Sequence, residues 1–277
     1  METQTKELAI NPGLVKKFLI EFIREETVKA GFKKLVVGIS GGVDSALAAA
    51  LAAEALGEKN VIGIILPYKE TNPESISDAN LFASKFRIRY ETVDITSAAE
   101  PLIFLDPSMN KVRRGNILSR LRMIVLYDRS AKENALVLGT SNKTELLLGY
   151  GTLFGDMAHA INPLGDLYKT QVWQLAEFVG IPEKIVKKKP SADLWLGQTD
   201  EDELGHSYAE IDAALYLLVD QRMTPEEVIA AGHSTRLVND LVKMIVRSQF
   251  KRRPPLIAKI SPRTINIDFR YLRDWGV

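Results

Sequence analysis

The sequence contains no cysteine, few histidines, almost no net charge and no apolar run as long as a membrane span. The absence of cysteine excludes disulfides, thiolate zinc sites and a cysteine nucleophile. Because the sequence has 36 basic and 35 acidic residues, we expect no general attraction to nucleic acid or to a membrane surface. The polar N-terminus, Met1–Lys6, does not resemble a signal peptide, and we expect a cytoplasmic protein. The three histidines have no metal-ligand spacing and are interpreted as structural: His159, His206 and His233.

Four apolar segments have the composition of buried strands, and helical patterns separate them. The predicted strands lie at about residues 35–37, 61–66, 89–95 and 135–140. The predicted helices lie at about residues 12–31, 43–56, 73–86, 112–133, 143–148 and 170–179. Strands that alternate with helices favour a parallel sheet covered on both faces. We therefore expect a doubly wound, open α/β sheet of about five parallel strands.

The last third of the sequence predicts extra C-terminal helices at about residues 208–219, 225–231 and 234–250, which either pack against the sheet or form a partner surface. Residues 149–163 are predicted to form a long functional loop. Residues 187–205 combine a lysine run, a proline and an acidic stretch, a pattern typical of a lid or a disordered segment. The lysine run itself is expected to be solvated. There is no internal repeat, and we expect a single domain over residues 1–277.

The first predicted strand runs directly into a glycine-rich turn and then into an alanine-rich helix. Glycines let the backbone approach an anion closely, and the free amides of a helix N-terminus point at it with the positive end of the helix dipole. Asp44 adds a carboxylate, which would repel a polyphosphate unless Mg²⁺ lay between them, so the turn predicts a metal. The candidate phosphate-binding residues are Gly38, Ile39, Ser40, Gly41, Gly42, Val43, Asp44 and Ser45.

Two familiar phosphate-binding motifs fit this turn poorly. No lysine follows the glycines, as a P-loop requires, and Ser45 occupies the place of the third glycine of a dinucleotide-binding turn. The segment Ser40–Ser45, Ser-Gly-Gly-Val-Asp-Ser, instead resembles the pyrophosphate loop of N-type ATP pyrophosphatases. Those enzymes cleave ATP between its α and β phosphates and transfer AMP to an oxygen of the substrate.

Further segments resemble one member of that group, the ammonia-dependent NAD synthetases, in the same order along the chain. Gly115–Met123 resembles their Gly-Asn-x-x-Ala-Arg-x-Arg-Met helix, and Gly139–Glu145 resembles their Gly-Thr-x-Asn-x-x-Glu. The remaining matches are Gly149–Thr152, Gly155-Asp156, Asn162–Leu164 with Lys169, Pro190–Leu194 and Gly197–Glu201. The resemblance extends from about residue 10 to residue 255, and the chain is identified as a member of this family.

The resemblance implies ATP, Mg²⁺, deamido-NAD and ammonia as the reacting partners, in a homodimer whose substrate site lies near the subunit interface. The nicotinate carboxylate would attack the α phosphate and release pyrophosphate, and ammonia would then displace AMP. A glutamine-using synthetase carries an additional domain with a cysteine nucleophile, so free ammonia is the expected nitrogen donor. The predicted lid would keep the acyl-adenylate away from water.

Several single residues receive roles from this comparison. Thr140 and Glu145 follow a strand at the edge where open α/β sheets bind ligands, so Glu145 is the expected second metal ligand beside Asp44. Lys169 is expected to contact an ATP phosphate, where a fixed cation offsets the charge of the leaving pyrophosphate. Asp156 is expected near the reacting carboxyl, where it could take a proton from ammonium. Two further contacts are Ser191 with phosphate and Arg120 with the dinucleotide, the latter reached from a neighbouring subunit.

The sequence departs from many relatives at the expected substrate site. Leu153 stands where they carry a lysine, and Ala160 where some carry an aspartate. Phe250-Lys251 replaces a His-Lys pair, which leaves Lys251 as the expected contact. The substrate-binding set is therefore predicted as Arg120, Leu153, Ala160 and Lys251.

Other functions remain open at this point. The enzyme could amidate nicotinate mononucleotide, or it could be another ATP pyrophosphatase that amidates or thiolates, such as a GMP synthetase-like or tRNA-modifying protein. The absence of cysteine and the balanced charge argue against a tRNA-thiolating enzyme. A nucleotide sensor without catalysis would keep the turn but would not need Glu145 and Lys169.

Overall fold

The computed structural model describes residues 7–191, 193, 195, 197–253, 255–265 and 267–268. In these residues four parallel strands form one sheet in the order β3-β2-β1-β4. The strands are β1 (Leu35–Gly38), β2 (Val61–Ile65), β3 (Arg89–Thr92) and β4 (Leu136–Val137). The expected count of about five strands was wrong by one. Beyond β4, Leu138 makes only an isolated parallel bridge with Ile161, and Pro163 follows with no N–H that could extend a ladder.

Most helices lie close to their predicted positions, whereas those at Thr96–Phe104, Glu183–Val186 and Asp200–Leu204 were not predicted. In chain order they are α1 (Pro12–Lys29), α2 (Val43–Leu56), α3 (Pro73–Lys85), α4 (Thr96–Phe104), α5 (Lys111–Glu133), α6 (Lys143–Leu148), α7 (Lys169–Val179), α8 (Glu183–Val186), α9 (Asp200–Leu204), α10 (Tyr208–Leu215), α11 (Pro225–Ala230) and α12 (Thr235–Ser248). One π-helical turn, Tyr216–Asp220, extends α10, and a short 3₁₀ turn, Gln249–Arg252, follows α12. Among the described residues, no helix is long and apolar enough to span a membrane.

Strand order creates a crevice at the centre of the sheet. The chain moves outward from β1 through β2 to β3, and then returns to place β4 on the other side of β1. The segments that follow β1 and β4 therefore diverge at the carboxyl edge of the sheet. In open α/β sheets, this reversal of strand order is the place where ligands bind.

Helices cover both faces of the sheet, as expected for a doubly wound fold. Helix α2 is buried along most of its length between the sheet and the helices α1 and α7, because its many alanines permit close approach on every side. On the opposite face, Leu118 of α5 packs with Val36 and Ile62 of the sheet. Both layers consist of apolar side chains removed from water, the dominant favourable contribution to folding.

The C-terminal helices pack on α6 and α7 rather than on the sheet itself. Ile211 and Leu215 of α10 share an apolar cluster with Val238 of α12, Leu148 of α6 and Tyr168, the residue before α7. The sequence left open packing against the sheet or a partner surface, and these side chains instead pack inside the protein against other helices. The consequence is that this cluster lies directly behind the starts of α6 and α7.

Candidate active site

The glycine-rich turn is held by its own hydrogen bonds. The hydroxyl groups of Ser40 and Ser45 lie 3.1 Å apart, and the Ser40 hydroxyl accepts a hydrogen bond from the backbone N–H of Gly42 at 3.2 Å. The Ser45 hydroxyl donates to the backbone oxygen of Gly42 at 3.0 Å. Gly41 has φ of +80°, and a Cβ at this position would lie only 2.2 Å from the backbone oxygen of Ser75. Glycine is therefore required here by conformation and by space.

The N-terminus of α2 opens from this turn. Gly42 is the N-cap residue and has no side chain to accept a hydrogen bond from the first amides of α2. Those amides, together with the helix dipole, provide a site for an anion. The sequence prediction of a phosphate site rests on this local geometry, which the structure reproduces.

Three charged residues meet where the turn faces β4. The Nζ of Lys169 lies 2.5 Å from Oδ2 of Asp44 and 3.7 Å from Oε1 of Glu145. Asp44 lies in the first turn of α2, Glu145 in the first turn of α6, and Lys169 is the first residue of α7. The Lys169 side chain is only 3% exposed, so its charge depends on neighbouring carboxylates for stabilisation, with Asp44 the largest contributor.

Asn142 joins the two carboxylates through hydrogen bonds to both. Its Nδ2 donates to Oδ1 of Asp44 at 2.9 Å. Its Oδ1 accepts the backbone N–H of Glu145 at 2.9 Å, and its own N–H donates to Oε2 of Glu145 at 3.1 Å. Asn142 therefore fixes Glu145 relative to Asp44. The family motif contained Asn142, but its contact with Asp44 spans distant parts of the chain, which no local pattern indicates.

The electrostatics of this group favour an additional cation. Burial, and then the neighbouring Asp44 carboxylate, raise the pKa of Glu145 to about 8. Burial lowers the pKa of Lys169, but Asp44 and Glu145 raise it more strongly, so its net pKa lies above the ordinary value. Lys169 is thus charged at neutral pH. A further cation beside Glu145 would favour the ionised carboxylate, in competition with the proton that the raised pKa favours.

A cavity of about 1010 Å³ extends from the turn across the carboxyl edge of the sheet. Its lining includes the predicted residues Ser40, Gly42, Asp44, Ser45, Thr140, Glu145, Asp156, Lys169, Ser191 and Lys251. Arg122 also lines it, with Nε donating to the backbone oxygen of Leu66 at 3.1 Å, and burial lowers the pKa of this guanidinium. Arg122 belongs to the matched motif Gly115–Met123, but we had assigned it no contact.

The four predicted substrate residues do not all face this cavity. Lys251 does, and its Nζ donates to the backbone oxygens of Gly149 and Gly151 at 2.8 and 2.7 Å. Arg120 is exposed outside the lining, and its guanidinium donates to the backbone oxygen of Leu153 at 3.3 and 3.2 Å. Ala160 is also exposed and outside the lining. Within one subunit, the structure therefore brings only Lys251 of this set to the cavity.

Asp156 is held in place through one of its carboxylate oxygens. Oδ1 accepts hydrogen bonds from the hydroxyl of Ser119 at 2.7 Å and from the backbone N–H of Thr152 at 2.9 Å. Oδ2 lies against Gly151, where a Cβ would come within 2.8 Å. The carboxylate is thereby oriented on the cavity wall.

The predicted lid is more ordered than expected in its described residues. The Nζ of Lys188 donates to buried Asp78 and to the hydroxyl of Ser75, at 3.0 Å in both cases, so the expectation of a wholly solvated lysine run was wrong for this residue. Ser191 is exposed at the cavity, and its hydroxyl accepts the backbone N–H of Asp193 at 3.0 Å. Helix α9 forms the acidic end of the segment. Ala192 and Leu194 of the matched motif, like Leu196, lie outside the described residues.

Comparisons with known proteins give one consistent family. The family model described as NAD synthase matches residues 15–255. A protein of Trichlorobacter lovleyi named NH(3)-dependent NAD(+) synthetase is 55% identical over 97% of this chain and 98% of its own length. A protein of Fusobacterium nucleatum with the same name is 49% identical, over 92% of this chain and 98% of its own.

Solved structures agree with these sequences. The NH3-dependent NAD synthetase of Campylobacter jejuni, in complex with the nitrate ion, has a TM-score of 0.78 and 33% identity over 91% of this chain and 100% of that chain. The NMN synthetase of Francisella tularensis has a TM-score of 0.81 and 33% identity, over 90% and 99%. A glutamine-dependent NAD+ synthetase of Acinetobacter baumannii has a TM-score of 0.68 and 29% identity, and the match covers 95% of this chain but 50% of that one.

We expect Gly41→Ala to weaken ATP binding by at least about tenfold, or about 1.4 kcal/mol, because the new Cβ must displace the turn from Ser75. Gly57→Ala is the matched control, since Gly57 has φ of +85° with no atom within 4 Å of a built Cβ. Both variants should lose about 1–3 kcal/mol of stability from backbone strain alone. Calorimetric titration with ATP separates the loss of ATP affinity, expected in Gly41→Ala, from the loss of stability, expected in both variants. Equal affinities in the two variants would contradict the role of close contact at Gly41.

Proposed function

The chain belongs to the NAD synthase family, and we propose that it amidates deamido-NAD with ammonia, using ATP and releasing AMP and pyrophosphate. Asp44, Glu145 and Lys169 come together at the crevice, and this observation carries the proposal. The chain is also about half identical, over nearly its whole length, to NH3-dependent NAD synthetases. A nucleotide sensor would need the turn but not this arrangement of opposite charges.

The turn and α2 bind the phosphates of ATP in this proposal. The amides at the start of α2 and the hydroxyl groups of Ser40 and Ser45 are the donors, with Thr140 and Ser191 on the facing walls. The Lys169 ammonium lies among them and offsets charge that develops on the leaving pyrophosphate. The apolar side of the cavity, formed by residues such as Leu66, accepts the flat base.

Asp44 and Glu145 are the residues that would hold Mg²⁺. They fit that ion, since two carboxylates already converge on one cation, the Lys169 ammonium, and Mg²⁺ is commonly held by one or two carboxylates together with phosphate and water. When bound, Mg²⁺ neutralises phosphate charge and so permits a nucleophile to approach. The protein itself contributes the separation of the two carboxylates, which Asn142 fixes.

The reaction proceeds in two steps. A carboxylate oxygen of the nicotinate forms a bond to the α phosphorus while the bond to the β-phosphate oxygen breaks. Nitrogen of ammonia then bonds to the acyl carbon, AMP leaves with the electrons of the carbon–oxygen bond, and the excess proton passes to a base. Asp156 on the cavity wall is the proposed base and ammonium site, and Lys251 binds the substrate beside it. Residues 187–205 act as the lid that excludes water.

We also propose a homodimer with the substrate site near its interface. Arg120, Ile124 and Tyr127 recur at helical spacing on one exposed face of α5. Arg120 and Leu153, which are joined by a hydrogen bond, and Ala160 all lie outside the cavity of their own subunit, so they would contact a substrate that extends across the interface. Sedimentation equilibrium measures the assembly, and a monomer at micromolar concentration would contradict this part of the proposal.

Amidation of nicotinate mononucleotide is the second candidate function. The fold matches the Francisella tularensis NMN synthetase with a TM-score of 0.81. Against it, curated relatives of much higher identity, 55% and 49%, are named NAD synthetases. Because position 153 is leucine instead of lysine and position 160 is alanine instead of aspartate, fewer charged side chains are present to contact deamido-NAD or nicotinate mononucleotide.

Free ammonia should be the nitrogen donor. With ATP, Mg²⁺, deamido-NAD and ammonium, we expect AMP and NAD to appear in equal amounts, because one adenylate is consumed per amide formed. With glutamine in place of ammonium, the purified chain should form no more NAD than a blank without any nitrogen source. Chromatographic separation of the nucleotides measures both products. Glutamine-driven turnover, or AMP without NAD, would contradict the proposal.

Asp44→Asn and Glu145→Gln should each lower the rate by about 10²–10³-fold and raise the Mg²⁺ concentration needed for half-maximal activity. Each substitution keeps the shape of the side chain and removes the charge that binds the cation. Glu54→Gln is a matched control at the other end of α2, where a carboxylate 48% exposed pairs with Lys16. The assay is initial rate against Mg²⁺ concentration. Near-normal rates at low Mg²⁺ in either site variant would show that the proposed metal ligands are wrong.

In direct competition, deamido-NAD should be preferred over nicotinate mononucleotide. The larger substrate offers an additional adenylate for stacking and hydrogen bonding, and a hydrogen bond to a charged group contributes about 1.5–3 kcal/mol. The measurement is the ratio of kcat/KM for the two acids, with ATP and ammonium held constant. A ratio in favour of the mononucleotide would replace the main proposal with the second candidate.

A further inference from the structure

Behind the three charged site residues, a buried carboxylate contacts two helix starts at once. Asp212 of α10 is completely buried. It accepts the hydroxyl of Thr144, in the first turn of α6, at 2.6 Å and the backbone N–H of Thr170, in the first turn of α7, at 2.8 Å. The two helices that present Glu145 and Lys169 are therefore bridged by one side chain.

A second carboxylate repeats this arrangement. Asp220 accepts the Nζ of Lys143, the first residue of α6, at 2.8 Å and the hydroxyl of Tyr168, the N-cap residue of α7, at 2.6 Å. The Lys143 Nζ also lies 4.7 Å from the centre of the Tyr168 ring. Each carboxylate thus receives one hydrogen bond from α6 and one from the start of α7.

The π-helical turn explains how both carboxylates reach the same pair of helices. In a regular α-helix, the positions of Asp212 and Asp220 would point about 80° away from each other. A π turn is wider and rotates by less per residue, which brings Asp220 back to the face that carries Asp212. Such turns cost stability in an isolated helix and recur at functional sites.

The same hydrogen bonds lead directly to the reacting groups. The Thr144 hydroxyl that donates to Asp212 accepts the backbone N–H of Lys169 at 3.0 Å. Glu145 follows Thr144 in the sequence. A shift of either helix start would therefore change the distance between the Lys169 ammonium and the Glu145 carboxylate.

We propose that Asp212 and Asp220 are positioning residues, a two-carboxylate clamp that holds the starts of α6 and α7 at the separation needed for MgATP binding and adenylation. This inference rests on the proposed function. The clamp contacts neither nucleotide nor metal, and it acts through Thr144, Thr170, Lys143 and Tyr168.

The test replaces each carboxylate by its amide, in Asp212→Asn and Asp220→Asn, in the full chain. An amide has one acceptor oxygen, so one helix start loses its hydrogen bond. We expect kcat to fall about 10–100-fold in Asp212→Asn, as for a small misplacement of reacting groups, with KM for deamido-NAD unchanged. Asp220→Asn should show a smaller fall, because its side chain is 34% exposed and water can replace the lost bond. Calorimetric affinity for MgATP should weaken in the same order.

Two controls separate positioning from general stability. Asp166→Asn makes the same chemical change on an exposed carboxylate that pairs with the same Lys143 at 3.1 Å, and it should leave kcat unchanged. Val228→Ala removes apolar volume from the cluster that contains α10. It should lower the melting temperature without the loss of MgATP affinity. If Val228→Ala lowers kcat and affinity as much as the clamp variants at equal loss of stability, the clamp is refuted.

The double variant Asp212→Asn/Asp220→Asn tests joint action. Since both carboxylates hold the same two helix starts, its loss of kcat should be smaller than the product of the single losses. If the loss of kcat in the double variant equals the product of the two single losses, the two carboxylates act independently and the shared clamp is refuted. If Asp212→Asn does not fold, Asp220→Asn alone decides the test, since its side chain is 34% exposed and water can replace the lost bond. Failure of the wild-type chain to make NAD would refute the proposed function, whereas an active wild type with unchanged clamp variants would refute only the clamp.

Discussion

One buried ammonium determines how this structure is assembled around its crevice. Lys169 reaches from α7 to Asp44 on α2 and Glu145 on α6, so three helices meet at a single charge. Removing one partner of a buried ion pair is strongly destabilising, because it leaves a charge without compensation. The sheet fixes where β1 and β4 end, but the ammonium fixes how the segments beyond them face each other.

Helix dipoles explain the placement of these charges. Asp44 and Glu145 lie in the first turns of their helices, where a negative side chain is stabilised. Lys169 lies at the first position of α7, where the same effect is unfavourable. Asp212 accepts an amide from the first turn of α7 and so satisfies one of the free N–H groups at that end of the helix. The carboxylates around α7 thus stabilise a lysine in a position that the helix alone would disfavour.

Local sequence signals predicted most of the fold and the phosphate turn. A glycine turn, the start of a helix and an apolar strand are each determined by residues adjacent in the sequence. Gly41 with its positive φ, α2 without a side-chain cap and β1 are the corresponding features of the structure. The expected count of about five strands exceeded the four observed, and beyond β4 the pairing of Leu138 with Ile161 ends after one bridge. Periodicity does not reveal where a ladder stops.

Contacts between distant segments were the part that the sequence could not provide. The contact of Asn142 with Asp44, the position of Arg122 on the cavity wall and the bond of Lys188 to Asp78 all join residues far apart in the chain. The π turn of α10 could not be anticipated either, since its residues read as ordinary helix. Resemblance to a family identified which residues matter, whereas tertiary geometry decided which of them face one another.

The brevity of β4 has a mechanical consequence. β4 pairs with β1 through two residues, whereas β2 pairs with β1 through four, so the edge that leads to Glu145 is joined to the centre of the sheet by fewer backbone pairs. A cation shared by Asp44 and Glu145 would add a connection between this edge and the centre. A bound ligand would in that way complete part of the cohesion that the short strand leaves out.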